Sequence, residues 1–223
     1  MLDWESVMGK LKVGILISGR GSNMAALVEA AQDPAFPAEV CCVLSNRPDA
    51  KGLEFARERG IPAAVIDHKA YASKAEFEEA VTATLLDHGV DFVCLAGFMR
   101  IVSPAFIERW HNRLINIHPS LLPSYKGLHT HERALADGVK LTGCTVHFVR
   151  AEMDVGPIVA QAAVPVLTGD TPDSLAARLL TAEHRLYPLA LRLIAEGKAK
   201  VNGEIVDIAP DAVDERARLF SAI

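Results

Sequence analysis

Leu11-Lys12-Val13-Gly14-Ile15-Leu16-Ile17-Ser18-Gly19-Arg20-Gly21-Ser22-Asn23 is the stretch on which the fold turns. Val13 to Ile17 is a continuous apolar run, as in a strand covered on both faces. The glycine-rich turn Ser18 to Asn23 follows, and Met24 to Ala31 reads as a helix. A buried strand, a tight turn and a helix open a β-α-β unit.

The same alternation continues outward. Glu39 to Leu44 is a second strand, followed by the turn Ser45-Asn46-Arg47-Pro48 and a helix ending near Gly60. Ala63 to Ile66 is a short third strand. Ser73 to His88 is a helix, with Phe77, Val81 and Leu85 at four-residue spacing. Phe92 to Ala96 is a strand closed by Gly97. Pro104 to Trp110 is a short helix with Ser103 as its N-cap, and Leu114 to Ile117 a strand. Thr130 to Asp137 is a helix, and Gly143 to Val149 and Ile158 to Val166 are strands. Thr171 caps a long helix that reaches about Glu196 and stops at Gly197. The β-α order from residue 11 to about 120 predicts an α/β fold: a doubly wound, mostly parallel sheet with helices on both faces. Two strands with little between them after residue 140 predict an antiparallel addition in the C-terminal part. No linker, repeat or low-complexity tract interrupts the chain. One domain over 1–223 is expected, with an N-terminal extension over 1–10 and a loosely attached tail from about 208 to 223.

Lys plus Arg is 23 and Asp plus Glu is 28, so the formal charge is −5. An acidic balance argues against nucleic acid as a partner, because a general binder needs excess cations to displace counterions. It leaves room for a local site that holds one phosphate. No apolar run approaches the roughly 20 residues of a membrane span. Met1 to Lys10 carries Asp3 and Glu5 and lacks the apolar region of a secretory signal. Cys41, Cys42, Cys94 and Cys144 sit in apolar runs without a C-x-x-C pair, which reads as reduced thiols in a cytoplasmic protein with no metal site. The oligomeric state is open, a homodimer included.

Two segments carry chemistry. In the first turn, free N–H groups at a helix start face any anion, and Ser22 and Asn23 add side-chain donors. A dinucleotide fingerprint fits poorly: its third glycine position is Met24, and no acidic residue closes the second strand. No Gly-Lys-Ser/Thr is present for a P-loop. A single-phosphate site fits better; a plain β-to-α turn is the alternative.

The second segment is Asn116-Ile117-His118-Pro119-Ser120-Leu121-Leu122-Pro123. Alternation along a strand puts Asn116 and His118 on one face, with Ile115 and Ile117 on the other. His118 is the acid or base of neutral pH, and Asn116 can donate an amide N–H to a developing oxyanion. The alternative is a structural pair bonded to the loop. Asp154, in the turn Glu152 to Pro157, could reach His118 and orient it, or could simply form the turn. His147 shares a sheet face with Thr145, lining a cleft or resting in the core. His129 and His131 are two apart at a helix start and do not share a face, so a metal site there is not expected. Glu183 and His184 lie mid-helix, as exposed surface or as a phosphate or ribose contact.

Read in order, several segments carry a family resemblance. They are Ser18 to Asn23, Leu95-Ala96-Gly97-Phe98-Met99-Arg100-Ile101, Asn116 to Pro123, Gly127-Leu128-His129-Thr130-His131, Met153-Asp154-Val155-Gly156-Pro157 and Glu183-His184. Together they resemble the phosphoribosylglycinamide formyltransferases, a branch of the folate-dependent formyltransferases. The likeness covers about residues 11 to 205. It implies a Rossmann-like formyltransferase fold and transfer of a formyl group from 10-formyltetrahydrofolate, as co-substrate, to the amine of 5′-phosphoribosylglycinamide, without a metal. It implies Asn116, His118 and Asp154 as the catalytic trio. It implies Gly21, Ser22 and Asn23, with Met24 and Ala25 adjoining, at the substrate phosphate, and Glu183 at the ribosyl part. It implies Met99, Arg100, Ile101 and Val102, with Ala151, Glu152, Met153 and Asp154, around the folate. Lys74 falls near the folate tail, and Asn116 serves both ligands. Val155 departs from the small residue common in the family. A deformylase and a methionyl-tRNA formyltransferase share the trio but carry a further domain, for which this length leaves no room. A non-catalytic sugar-phosphate binder on the same fold is the reading from a different class.

Overall fold

The computed structural model describes residues 9–212. Most of the expected N-terminal extension, 1–8, and the tail over 213–223 lie outside the described residues. In chain order the first elements are β1 (Leu11–Ile17), α1 (Ser22–Ala31), β2 (Ala38–Ser45), α2 (Gly52–Glu58), β3 (Ala63–Val65), α3 (Lys74–Asp87) and β4 (Phe92–Leu95). There follow α4 (Pro104–Arg109), β5 (Leu114–His118), α5 (Thr130–Ala136), β6 (Leu141–Phe148), β7 (Ile158–Pro165), α6 (Pro172–Ala195), β8 (Ala199–Asn202) and β9 (Ile205–Ile208).

Seven strands form one sheet in the order β3-β2-β1-β4-β5-β6-β7. The pairings from β3 across to β5 are parallel. β6 then runs antiparallel to β5, and β7 antiparallel to β6. This is the doubly wound sheet with the antiparallel addition expected from the sequence. The chain winds outward from β1 to β3 and returns to β4 on the other side of β1. The connections after β1 and β4 therefore diverge, which opens a crevice at the carboxyl ends of the central strands.

Alternation along the strands builds a core on each face. Val13, Ile15, Ile17, Cys94, Ile115 and Ile117 pack with α1 and α6. Leu16, Leu44, Val93, Leu95 and Leu114 pack with Phe77, Val81 and Leu85 of α3 and Phe106 and Ile107 of α4. Local chemistry sets the helix starts. The Ser73 hydroxyl accepts the Glu76 N–H, Ser103 accepts the Phe106 N–H, and Thr171 forms a capping box with Ser174. Gly197, at φ 68°, ends α6.

Several details depart from the expectations, among them the start of β6, which begins at Leu141. β5 runs one residue further, so His118 is itself in the strand and pairs with Thr145 of β6. Residues 199–208 form a β8–β9 hairpin that the reading did not foresee. The tail is also held further than expected: the Ala209 N–H donates to the Lys198 carbonyl at 2.8 Å, and Asp211 lies 3.2 Å from Lys198 Nζ. No helix among the described residues is long and apolar enough to cross a membrane.

Candidate active site

Strand register brings the two chemical segments together. Leu16 of β1 lies beside Leu95 of β4, Leu95 beside Asn116 of β5, and Asn116 opposite His147 of β6. Strands are spaced about 4.8 Å apart, so the end of β1 and Asn116 are separated by roughly 10 Å. That span suits a small phosphorylated molecule.

At the β1 side, Gly21 precedes α1 with φ 71°, in the left-handed region. A Cβ there would come within 2.9 Å of Met24 Cε and 3.2 Å of Gly52 Cα, so the turn needs glycine for conformation and for space. The first intrahelical bond is Ala25 N–H to the Gly21 carbonyl, 2.8 Å. The N–H groups of Ser22, Asn23 and Met24 precede it and have no helical acceptor. No side chain caps this end, and no carboxylate sits in its first turn. The Met24 side chain is fully buried, so it can offer a ligand only its N–H. Ala25 has already spent its N–H on the helix. Asn23 is tied across to α6: its Nδ2 donates to Glu183 Oε2 at 2.6 Å, while its Oδ1 is buried without a partner. Glu183 is buried, against the exposed-surface alternative. His131 of α5 feels the charges of both Glu183 and His118. Burial lowers its pKa, and the Glu183 carboxylate partly opposes that shift.

At the β5 side, His118 and Asp154 meet. His118 Nδ1 lies 3.4 Å from Asp154 Oδ2, an ion-pair distance somewhat longer than a good hydrogen bond. His118 Nε2 donates to the Tyr125 carbonyl at 2.9 Å. Asp154 reaches this position from a left-handed backbone, φ 51°, and the Gly127 N–H fixes its Oδ2 at 2.7 Å. Aspartate tolerates that conformation better than most residues. Asn116 stands half-buried on the same face as His118. Cross-sheet polar bonds hold the intervening loop. Thr145 Oγ1 donates to the Ser120 carbonyl at 2.7 Å and accepts the Leu122 N–H at 3.0 Å. Gln161 Nε2 donates to the Leu122 carbonyl, 3.0 Å, and to Thr145 Oγ1, 2.9 Å. Ser120 Oγ closes the loop on the Ser124 carbonyl at 2.6 Å. Thr145 and Gln161 face each other across β6 and β7, a register that spacing along the chain could not supply.

His147, opposite Asn116, is buried, with Nδ1–H donating to the Phe148 carbonyl at 3.0 Å. Its Nε2 is then a buried acceptor without a partner. Burial pushes the pKa of His147 below its ordinary value, which keeps the ring neutral. His131 and His147 thus both resist protonation in the folded state and accept protons more readily when unfolded. Their contribution to stability is complete above the unfolded value of about 6.5 and declines as pH falls through it. Melting temperature should therefore fall between about pH 7.5 and 5.5, and His147→Gln should flatten part of that slope in calorimetry.

The loop after β4 lies beside this cleft. Met99 and Ile101 are 72% and 68% exposed, and Met153, next to Asp154, is 50% exposed. Ala151 and Glu152 are exposed too. Arg100 places its guanidinium 5.5 Å from the Phe77 ring centroid, and Val102 packs against the α3–α4 core. Lys74 Nζ lies 3.9 Å from Glu78 of its own helix. Among the described residues no group of three or more His, Cys, Asp or Glu could hold a metal ion.

The chain belongs to the formyl transferase family: the profile described as "Formyl transferase" matches residues 11–191. Named proteins are similar to it over most of its length. The phosphoribosylglycinamide formyltransferase of Escherichia coli (strain K12) is 44% identical over 192 residues, covering 86% of this chain and 91% of that one. The trifunctional purine biosynthetic protein adenosine-3 of Gallus gallus is 50% identical over 192 residues, covering 86% of this chain but 19% of that much longer protein. The crystal structure of glycinamide ribonucleotide transformylase 1 from Symbiobacterium toebii superposes with a TM-score of 0.87 at 48% identity, covering 90% of this chain and 94% of that one.

Proposed function

We propose that the protein transfers the formyl group of 10-formyltetrahydrofolate to the amine of 5′-phosphoribosylglycinamide, giving formylglycinamide ribonucleotide and tetrahydrofolate. The observation that carries this reading is the His118–Asp154 contact at 3.4 Å beside Asn116 on β5, with β4 and its apolar loop standing between β5 and the uncapped start of α1. The phosphate is held by the N–H groups of Ser22, Asn23 and Met24, and the ribosyl hydroxyls meet Glu183. The flat pterin lies against Met99, Ile101 and Met153, whose exposed apolar side chains suit an aromatic ring.

The substrate amine attacks the formyl carbon. A C–N bond forms and the carbonyl electrons move to oxygen. The Asn116 amide and the His118 imidazolium donate to that oxyanion. Asp154 holds the imidazolium in place. For Nε2 to reach a substrate oxygen, the Tyr125 carbonyl must yield it. As the intermediate collapses, the bond to the folate nitrogen breaks, and the proton lost by the amine ends on that nitrogen.

The free Cys41, Cys42, Cys94 and Cys144 support a reducing, cytoplasmic setting. The partners are small molecules and not nucleic acid; a homodimer is compatible with a site that each chain carries whole.

The deciding experiment follows product with and without the amine. Transfer is expected only when 5′-phosphoribosylglycinamide is present. Formate released at the same rate without it would replace this reading by a deformylase, and no turnover at all by a sugar-phosphate binder.

A further inference from the structure

The loop Gly97–Ser103 is exposed where it faces the cleft and pinned by buried polar groups at each end. At its start, the Met99 N–H donates to Ser18 Oγ at 2.8 Å, and Ser18 Oγ–H donates to Asn46 Oδ1 at 2.5 Å. Ser18 also gives its N–H to the Gly97 carbonyl, 3.1 Å. Ser18 and Asn46 are both buried, and Asn46 is steadied in turn by His68, whose Nδ1 lies 3.0 Å from the Asn46 carbonyl. At its end, the Ser103 N–H donates to Glu78 Oε1 at 2.8 Å, and the Ser103 hydroxyl donates to Glu78 Oε2. The same hydroxyl oxygen accepts the Phe106 N–H at 3.2 Å, so Glu78 fixes both the loop and the start of α4. Glu78 is a buried carboxylate on a helix whose inward face is mostly apolar, with Phe77, Val81 and Leu85. A buried charge is costly unless it is compensated; here the loop supplies both hydrogen bonds, and Lys74 Nζ lies 3.9 Å away as counter-charge.

Ser18 and Glu78 are both buried, and their side-chain oxygens are spent on Met99, Asn46 and Ser103. Each holds one end of a short segment whose middle displays Met99 and Ile101 to solvent. Exposed apolar side chains on a free loop would collapse onto the surface. Held at both ends, they stay displayed, and a flat ligand need not order the loop when it binds.

We propose that Ser18 and Glu78 are positioning residues for the formyl donor: by pinning Met99 and Ser103 they preorganise the loop that receives its ring. The inference rests on the transfer reaction proposed above. It predicts selectivity between the two substrates, because the N–H groups that face the phosphate begin only at Ser22, on α1, which packs with α6 on the other face of the sheet from Glu78.

The test uses the full chain, its two substrates and three variants. Ser18→Ala and Glu78→Gln should each raise KM for the formyl donor about tenfold, as expected for loss of one or two buried hydrogen bonds. KM for the phosphorylated amine and kcat should stay within about twofold of the parent value. Ser18→Thr, which keeps the hydroxyl, should retain most of the donor affinity. Amide exchange at Met99, followed by NMR, should quicken in Ser18→Ala. Glu78→Gln preserves shape and approaches the loop from its other end, so the test survives if Ser18→Ala folds poorly. An unchanged donor KM in both variants while the Met99 amide loses protection overturns the proposal. So does an equal rise for both substrates, which would mark a merely structural role. A parent protein that transfers no formyl group would instead overturn the reaction itself, whatever the variants do.

Discussion

His118→Ala lowers kcat by about 10²–10³, the typical cost of removing one donor to a developing oxyanion, with KM for the phosphorylated substrate little changed. The side chain sits at the end of β5, away from the α1 start that receives the phosphate, so binding of that group survives the substitution. Asp154→Asn is the sharper variant of the same experiment. Asparagine tolerates the left-handed backbone that Asp154 occupies at φ 51°, and its carbonyl oxygen can still accept the Gly127 N–H. What it loses is the negative charge beside His118 Nδ1. A comparable fall in kcat with an unchanged melting temperature assigns the effect to that charge. Full turnover in steady-state transfer by either variant removes the trio from the mechanism.

Gly21→Ala is the second large effect, and it falls on binding. The new Cβ would meet Met24 Cε at 2.9 Å and Gly52 Cα at 3.2 Å, at φ 71°. The side-chain methyl can move aside; the Gly52 backbone cannot without dragging the start of α2. The strain of an L-residue in this conformation adds about 1–2 kcal/mol. The first turn of α1 must therefore shift, and with it the three N–H groups aimed at the phosphate. KM for the phosphorylated amine should rise at least about tenfold, while KM for the formyl donor stays close to the parent value. Gly19→Ala is the control: a Cβ there meets nothing within 4 Å. If both variants behave alike in substrate titrations, the turn is not the phosphate site.

The parts of this molecule legible in its sequence are those governed by local rules. The run Val13 to Ile17 announces a strand buried on both faces, and Ser103-Pro104 and Thr171-Pro172 mark helix starts where the caps are found. Alternation alone puts Asn116 and His118 on one face. Gly203-Glu204 is the two-residue turn of the β8–β9 hairpin, with glycine first at φ 62°, a local signal although no element is expected beyond Gly197. Other features depend on which strands become neighbours. Ser18, Asn46, Glu78, Thr145 and Gln161 look like isolated polar residues in or near apolar runs. Their bonds cross 81 positions from Met99 to Ser18 and 25 from Ser103 to Glu78, so only the folded sheet joins them. The Asn23–Glu183 bond, 160 positions apart, belongs to the same class. The resemblance supplied Glu183 as a site residue; chain spacing alone left it between surface and site.

The two sides of the cleft rest mainly on different helix layers, which meet at Ser18, where the turn before α1 accepts the Met99 N–H. Asn23 and Glu183 belong to α1 and α6, packed on one face of the sheet, whereas Glu78 and Ser103 belong to the α3–α4 layer on the other. Inhibitors can therefore be sorted by which layer they engage. A compound that lies on the Met99 loop should select for resistance changes in α3 and α4 and remain additive with one that occupies the α1 turn. A single molecule spanning both would need changes in helix layers on opposite faces of the sheet to escape.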